Sequence, residues 1–142
     1  MAFCHVGLTT DEIVVPTLSA DPAPATGARL DFLGIVRPTE NGRPLAAIDY
    51  SYHPSLAGRE LQRIADEAIA TYPLTGLRLI HRVGRVPAGV ASLFVRVDTA
   101  HRSPAYEASR WIIEQLKLRT PIWKHPIYDP VANPVAESPL AQ

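Results

Sequence analysis

Apolar residues recur at helical spacing in one long segment of the chain. Between Ser55 and Pro73 they include Leu61, Ile64 and Ala68, which are three or four positions apart. This spacing predicts an amphipathic helix with one buried face. Ser55 is its expected N-cap, and Pro73 is expected to end it.

A second helix is predicted to follow Ser103, a favourable N-cap residue that precedes Pro104 at the first helical position. The helix is expected to stop before Pro121, because a proline disfavours helical geometry in the residue before it. Its buried stripe consists of small and branched apolar residues, namely Ala105, Ala108, Ile112 and Leu116. Both helices therefore have one face that needs a partner layer.

Other segments have the composition and alternation of β-strands. Residues 28–37 form one predicted strand, in which Gly34 indicates a bulge or a close approach of two backbones. Asn41-Gly42 is a strong hairpin signal, so the segment 45–54 is expected to return antiparallel to that strand.

Two more strands are predicted later in the chain, at 76–86 and 90–100, around a turn at Pro87-Ala88-Gly89. With a short N-terminal strand, the order becomes strand, strand, helix, strand, strand, helix. Helices in this order normally cover one face of a mainly antiparallel sheet. The fold class predicted from the pattern is therefore α+β with two layers.

The chain of 142 residues is expected to form a single domain, 1–142, with a folded core at about 27–125. The Ala/Pro-rich stretch 19–28 has the composition of a linker. From about residue 121 the chain is expected to be irregular, ending in a proline-rich tail at 126–142.

Charge and hydropathy argue against nucleic acid and membranes as partners. Fourteen acidic residues balance fourteen basic ones, so no global field attracts nucleic acid or an anionic membrane. No apolar run approaches the roughly 20 residues of a membrane span, and the N-terminus lacks the pattern of a secretory signal. Cys4 is the single cysteine, which fits a reducing compartment. The expected location is the cytoplasm.

No metal site or resident cofactor is expected. His5, His53 and His125 show no metal-ligand spacing with one another, and no acidic residue completes a set with them. The sequence has neither a glycine-rich phosphate loop nor a nucleophile elbow. His81-Arg82 lies inside a predicted strand, and a structural role is favoured there.

The only two lysines, Lys117 and Lys124, lie seven positions apart in a chain that otherwise uses arginine, twelve times. A lysine offers a compact amine with a tunable pKa, and two neighbouring ammonium groups lower each other's pKa. A chain reversal at Thr120-Pro121 is needed to bring the two together. The alternative for Lys117 is a favourable interaction with the helix dipole at the C-terminal end.

Three further cationic or titratable residues are candidates for anion binding. His101 and Arg102 immediately precede the second helix, whose exposed N–H groups favour anions. The alternative is a solvated arginine beside a packed histidine. Arg37 ends a core strand, where a surface position is the common case.

Four segments together resemble the large catalytic subunit of molybdopterin synthase. They are FLGIVR, IHRVG, AHRSPAYEA and LKLRTPIWK, in that order and at the family's spacing, and the resemblance covers about residues 27–125. It implies an α/β-hammerhead fold and a sulfur transfer to cyclic pyranopterin monophosphate, forming the molybdopterin dithiolene. The sulfur donor implied is the C-terminal thiocarboxylate of a small ubiquitin-like carrier subunit, whose Gly-Gly tail enters the active pocket. The family's large subunit is a homodimer that binds one carrier at each end.

The resemblance also assigns roles to individual residues. Lys117 and Lys124 match the family's two active-site lysines, and we expect Lys117 on the carrier side and Lys124 on the substrate side. His101 and Arg102 match substrate-pocket residues, and Arg37 matches the arginine that holds the anionic part of the substrate.

The sequence departs from the family pattern in two places. His125-Pro126 follows the second lysine where the family has a basic residue and a glutamate. Ser51, Tyr52 and His53 stand where the family commonly has Glu-x-Tyr. Two alternatives therefore remain: a non-catalytic homologue that binds the carrier or a phosphorylated pterin without turnover, and a general phosphate-metabolite binding module.

Overall fold

The computed structural model describes residues 2–15 and 23–130 of the chain. The elements in chain order are β1 (Phe3–Thr9), β2 (Ala28–Ile35), β3 (Thr39–Glu40), β4 (Arg43–Tyr52), α1 (Leu56–Thr71), β5 (Leu74–Arg82), β6 (Gly84–Pro87), β7 (Ala91–Thr99), α2 (Arg102–Arg119) and β8 (Ile122–Tyr128). Residues 19–22 of the expected linker and 131–142 of the expected tail lie outside the described residues.

The larger layer is a four-stranded sheet in the order β1-β5-β7-β2. Only the β1–β5 pair is parallel, and the other two pairs are antiparallel. Both helices pack on one face of this sheet and form the main core with it, including Leu61, Ile64, Leu79, Val95 and Ile112. The predicted α+β architecture, with a mainly antiparallel sheet and helices on one face, is confirmed.

The opposite face of this sheet holds two ion pairs between β2 and β7. Arg29 donates to both carboxylate oxygens of Asp98 at 2.8 Å, and Arg96 donates to those of Asp31 at 2.7 and 2.8 Å. In both cases the paired residues lie directly opposite each other in the register. Arg96 is only 2% exposed. These pairs favour this register of the two strands over a slipped one.

A smaller sheet, ordered β3-β4-β6, has β8 paired to β4 as well. Its core cluster contains Val36, Leu45, Ile48, Tyr50 and Val86, all buried. The same stretch of β4 pairs with both β6 and β8, so these two strands lie on opposite edges of β4. The smaller sheet therefore extends the fold beyond the helix-covered layer.

The predicted pairing of the first two core strands is wrong. The strand after Asn41-Gly42 pairs at its start with the two-residue β3, whereas β2 pairs with β7 in the other sheet. Asn41 and Gly42 have positive φ angles of 52° and 74°, as the hairpin signal requires. The chain leaves the first sheet at Val36 and passes through Pro38, which cannot donate to a strand ladder.

The single strand predicted at 76–86 is also wrong, because it consists of β5 and β6 in different sheets. The break falls at Val83 and Gly84, and Gly84 has a φ of 81°. A positive φ turns the backbone out of the extended path at little cost only in glycine.

The irregular segment predicted from residue 121 is instead β8, which pairs with β4 over most of its length. The strand includes Pro126, which lacks a backbone N–H. Within the described residues β8 has only β4 as a neighbour, and an edge strand tolerates proline when its missing N–H faces outward.

The helix starts differ in detail from the predictions. Ser55 is the N-cap of α1, but its side chain makes no capping bond; His53 Nδ1 lies 3.2 Å from the backbone nitrogen of Leu56, which donates to it. The N-cap of α2 is His101 rather than Ser103, so Pro104 lies within the first turn. Proline is tolerated there because the first-turn N–H groups have no intrahelical acceptor.

Candidate active site

A cavity of about 540 Å³ opens where the two sheets meet the C-terminal end of α2. Its walls come from the ends of β2 and β3, from β4, β5, β7 and β8, and from the last turn of α2. Its polar and charged lining residues are Arg37, Glu40, Tyr50, His81, Ser92, Lys117, Thr120 and Lys124. The remaining walls are apolar or aromatic, as in most small-molecule sites.

Both lysines line this cavity. Lys117 lies in the last turn of α2, whose C-cap is Thr120, and β8 begins at Ile122. The chain therefore reverses within a few residues, and Lys124 faces the same space from β8. Both side chains are exposed, so their ammonium groups are accessible to a ligand.

An arginine clamp fixes the end of α2 that carries Lys117. Arg119 donates to Glu60 at 2.8 Å and to Glu67 at 2.6 Å, both on α1, and to Gln115 at 3.3 Å. The hydrogen bond from Arg119 lowers the pKa of the Glu67 carboxyl. These contacts hold the last turn of α2 against α1 and so restrict where Lys117 points.

The cavity lining carries an excess of positive charge. Arg37 follows the end of β2, and it joins the two lysines against a single lining carboxylate, Glu40. Three cations converging on one concave space attract an anionic ligand more strongly than isolated surface charges do. An anion held here also has an arginine fork available for a phosphate or carboxylate.

The inner wall of the cavity is neutral and polar. The Tyr50 hydroxyl donates to Ser92 Oγ at 3.1 Å, and Ser92 lies 3.4 Å from the Gly34 carbonyl oxygen, to which it donates. Burial raises the pKa of the Tyr50 phenol above its usual value of 10.0, so it stays protonated. The site thus combines a cationic rim with an uncharged inner wall.

His81 belongs to this inner wall, which the sequence did not predict. Its ring lies 5.4 Å from the Tyr50 ring in an edge-on arrangement. Burial lowers the pKa of the imidazole below its ordinary 6.5, and the charge of Lys124 lowers it further. A histidine within a strand pattern gives no sign of facing a cavity; the signal available was its place in the segment IHRVG.

His101 and Arg102 do not line this cavity. They lie at the N-terminal end of α2, and the helix of 18 residues places that end about 25 Å from the turn carrying Lys117. Both side chains are exposed. A single chain therefore brings together three of the five predicted site residues and leaves this pair apart from them.

The residues at the two departures from the family pattern contact each other. Ser51 Oγ lies 2.7 Å from His125 Nε2, across the β4–β8 pair. In the register Ser51 is opposite Trp123, and its neighbour Tyr50 is opposite Lys124. A serine–histidine hydrogen bond therefore stands next to Lys124, at the two places where the sequence departs from the family pattern.

Within residues 2–15 and 23–130, no cluster of three or more His, Cys, Asp and Glu side chains is arranged to hold a metal ion. Neither of the helices in that part of the chain has the length and apolarity needed to cross a membrane. Cys4 is an exposed free thiol, and partial desolvation of the thiol raises its pKa.

Comparison with known proteins agrees with the fold and the motifs. The molybdopterin synthase catalytic subunit of Emericella nidulans is 38% identical over 121 residues, which are 84% of this chain and 62% of that protein's length. The structure resembles molybdopterin synthase from Staphylococcus aureus, with a TM-score of 0.77, 26% identity, and coverage of 86% of this chain and 90% of that one.

A protein–protein complex of subunits 1 and 2 of the molybdopterin-converting factor from Helicobacter pylori is also similar. Its TM-score is 0.61 at 25% identity, covering 73% of this chain and 72% of that one. The family model described as MoaE protein matches residues 8–119, which include Arg37, the His101-Arg102 pair and Lys117. The chain belongs to the MoaE protein family.

Proposed function

We propose that this protein is the catalytic subunit of a molybdopterin synthase. It transfers sulfur from the C-terminal thiocarboxylate of a small ubiquitin-like carrier to cyclic pyranopterin monophosphate, in the cytoplasm and without a resident metal or cofactor. The observation that carries the proposal is the convergence of Lys117, Lys124 and Arg37 on one cavity. The names of the Emericella and Staphylococcus relatives support the activity, and the Helicobacter complex supports a second, different subunit as partner.

The cationic lining suits this reaction because both reactants are anions. A thiocarboxylate and a phosphorylated pterin repel each other, and the repulsion grows in a cavity that excludes water. Arg37, Lys117 and Lys124 offset it by placing positive charge between and around the two. Fixed charges of this kind stabilise the transition state without reorganising during the reaction.

Each lysine then has a distinct role in the sulfur transfer. The carrier's sulfur forms a bond to a carbon of the pterin while a carbon–oxygen bond at that carbon breaks, its oxygen leaving as water or with the phosphate. The carrier's acyl group then stays attached through a thioester. Water cleaves the acyl–sulfur bond, and the carrier leaves as a carboxylate. Lys117 stabilises the oxyanion that develops at the carrier's terminal carbonyl, and Lys124 binds on the pterin side, where Arg37 holds the phosphate.

The remaining two site residues reach this cavity only from a second copy of the chain. His101 and Arg102 lie about 25 Å from Lys117 along a rigid helix. The family resemblance assigns all five residues to one pocket, and it also implies a homodimer. We therefore include in the proposal that each pocket combines Lys117 and Lys124 of one subunit with His101 and Arg102 of the other.

Mixed dimers test this sharing. Arg102→Ala and Lys117→Ala chains, co-expressed with different affinity tags and purified as heterodimers, contain one intact pocket of two. Their rate of product formation is expected to be about half that of wild type, although each variant homodimer is expected to keep only a small fraction of the wild-type rate. Heterodimers of Lys117→Ala with Lys124→Ala are the matched control, since neither pocket is then intact. An Arg102 heterodimer no more active than this control would contradict shared pockets.

A non-catalytic homologue is the second candidate, favoured by the Ser51–His125 contact beside Lys124. Mixing the purified protein with thiocarboxylated carrier and cyclic pyranopterin monophosphate separates the two. Dithiolene product supports the synthase, and carrier binding without product supports the homologue. If neither product nor carrier binding is observed, a phosphate-metabolite binding module remains as the third candidate.

A further inference from the structure

His81 faces the cavity, although the sequence pattern favoured a structural role for it. It lies near the end of β5, lines the same cavity as both lysines, and packs its ring edge-on against Tyr50. Tyr50 is itself fixed by its bond to Ser92. The imidazole is therefore held between a rigid aromatic wall and the open cavity.

The hydrogen bond of His81 determines its tautomer. Nδ1 lies 2.7 Å from the carbonyl oxygen of Arg82, and a carbonyl oxygen only accepts, so Nδ1 carries the hydrogen. Nε2 consequently carries a lone pair. Among the described residues, the ring makes no hydrogen bond other than that one. Nε2 is thus an acceptor available to a ligand.

The charges around His81 favour its neutral form. Lys124 faces it from β8 and the Tyr50 phenol from β4, while Arg37, Glu40 and Lys117 lie around the same cavity. Burial, and then the Lys124 charge, lower the pKa of the imidazole below 6.5. The lone pair therefore remains available at neutral pH. The three cationic residues can only donate hydrogen bonds, so His81 adds an acceptor to a lining dominated by donors.

We propose that His81 is a further substrate-binding residue, whose Nε2 accepts a hydrogen bond from an N–H or O–H group of the pterin. The inference rests on the proposed function, because it takes the pterin as the ligand of this cavity. The cationic rim binds the phosphate, and His81 binds the opposite, hydrogen-rich part of the same molecule. The residue thereby selects for a heterocycle with ring donors over a simple phosphate.

Two substitutions separate the acceptor from the packing. Asparagine at position 81 keeps a donor near Nδ1 for the Arg82 carbonyl and removes the acceptor at Nε2, whereas glutamine extends a polar group to the Nε2 position. We expect His81→Asn to weaken binding of cyclic pyranopterin monophosphate about fivefold to tenfold, the effect of one hydrogen bond, and His81→Gln to recover part of it. Binding of inorganic phosphate is expected to change less than twofold. His5→Asn, at an exposed position on β1, is the matched control.

The pH dependence of pterin affinity adds a second measurement, which a purely structural role of His81 would leave unchanged. Wild-type affinity for the pterin, divided by that of His81→Asn, is expected to stay constant above pH 6.5. It falls toward one as the pH drops through the lowered pKa of His81, because a protonated Nε2 donates rather than accepts. Titrating both proteins removes contributions from the phosphate and from other groups.

Calorimetric titration of the full chain with cyclic pyranopterin monophosphate decides the inference, together with imidazole ¹⁵N spectra of wild type, which need no variant. Weaker binding in His81→Asn, and a pterin-induced shift of the His81 Nε2 resonance with Nδ1 still protonated, support it. Tight wild-type binding that His81→Asn leaves unchanged, or an Nε2 resonance that does not respond, overturns the inference while the proposed function stands. Absence of wild-type binding overturns both.

Discussion

Replacing Lys117 by alanine is expected to lower the rate of sulfur transfer by at least about 100-fold, the effect of removing one preorganised group that stabilises an oxyanion. Lys124→Ala is expected to cost a comparable factor, with a larger share in the pterin KM, because the proposed function assigns that lysine to the substrate side of the cavity. Both side chains are exposed, so neither variant should unfold the protein.

Single-turnover reactions with thiocarboxylated carrier and cyclic pyranopterin monophosphate measure this effect. Arg110→Ala is the matched control, because Arg110 is a highly exposed cation on the same helix, paired only with Glu114 among the described contacts. It removes one positive charge from α2 without touching the cavity lining. Full product formation by either lysine variant would rule out the assigned roles.

Replacing Asp98 by alanine is expected to destabilise the fold by about 3 kcal/mol or more, because it leaves the Arg29 guanidinium without its carboxylate in a largely buried place. Asp98 is 5% exposed and accepts two hydrogen bonds from Arg29. For a chain of this size the loss corresponds to a fall in Tm of about 10 °C. Chemical denaturation, with the midpoint and slope fitted separately, measures it.

Two further variants make this prediction specific. Asp49→Ala removes an exposed strand carboxylate and is expected to change stability by less than about 0.5 kcal/mol. Arg29→Met combined with Asp98→Leu is expected to restore most of the loss, because an apolar pair of similar volume avoids burying an arginine that has lost this carboxylate. A destabilisation by Asp98→Ala no greater than that of Asp49→Ala would show that this ion pair does not hold β2 on β7.

The helices were predictable because their information is local. The apolar stripes that include Ile64 in α1 and Ile112 in α2 repeat within single segments, and both residues are fully buried where the stripes predict. The partners of the strands were not predictable in this way. Whether β2 pairs with β4 or with β7 depends on groups far apart in the chain, such as Arg29 and Asp98.

β8 shows a second limit of predicting strands from the sequence. Pro126 is a strong local signal against a strand, but its effect depends on whether the strand is central or at an edge, which no local pattern reveals. The split between β5 and β6 had a usable signal in Gly84, a glycine between two strand-like runs. A positive φ at such a glycine is what redirects the chain into the second sheet.

The site could be predicted in part. The scarcity of lysine and the family resemblance identified Lys117 and Lys124, and the reversal after Thr120 gives them a common cavity. His81 was not predicted to face the cavity, because its burial and its contact with the Arg82 carbonyl appear only in three dimensions. The position of His101 and Arg102 at the far end of α2 likewise depends on the length and direction of that helix.

The most direct test of the account is the sulfur balance of a reconstituted reaction. Purified protein is incubated with cyclic pyranopterin monophosphate and excess thiocarboxylated carrier, and mass spectrometry follows both. We predict that the pterin gains two sulfur atoms and that two carriers become carboxylates for each product formed. Carrier that binds tightly while its thiocarboxylate and the pterin stay unchanged would contradict a catalytic role.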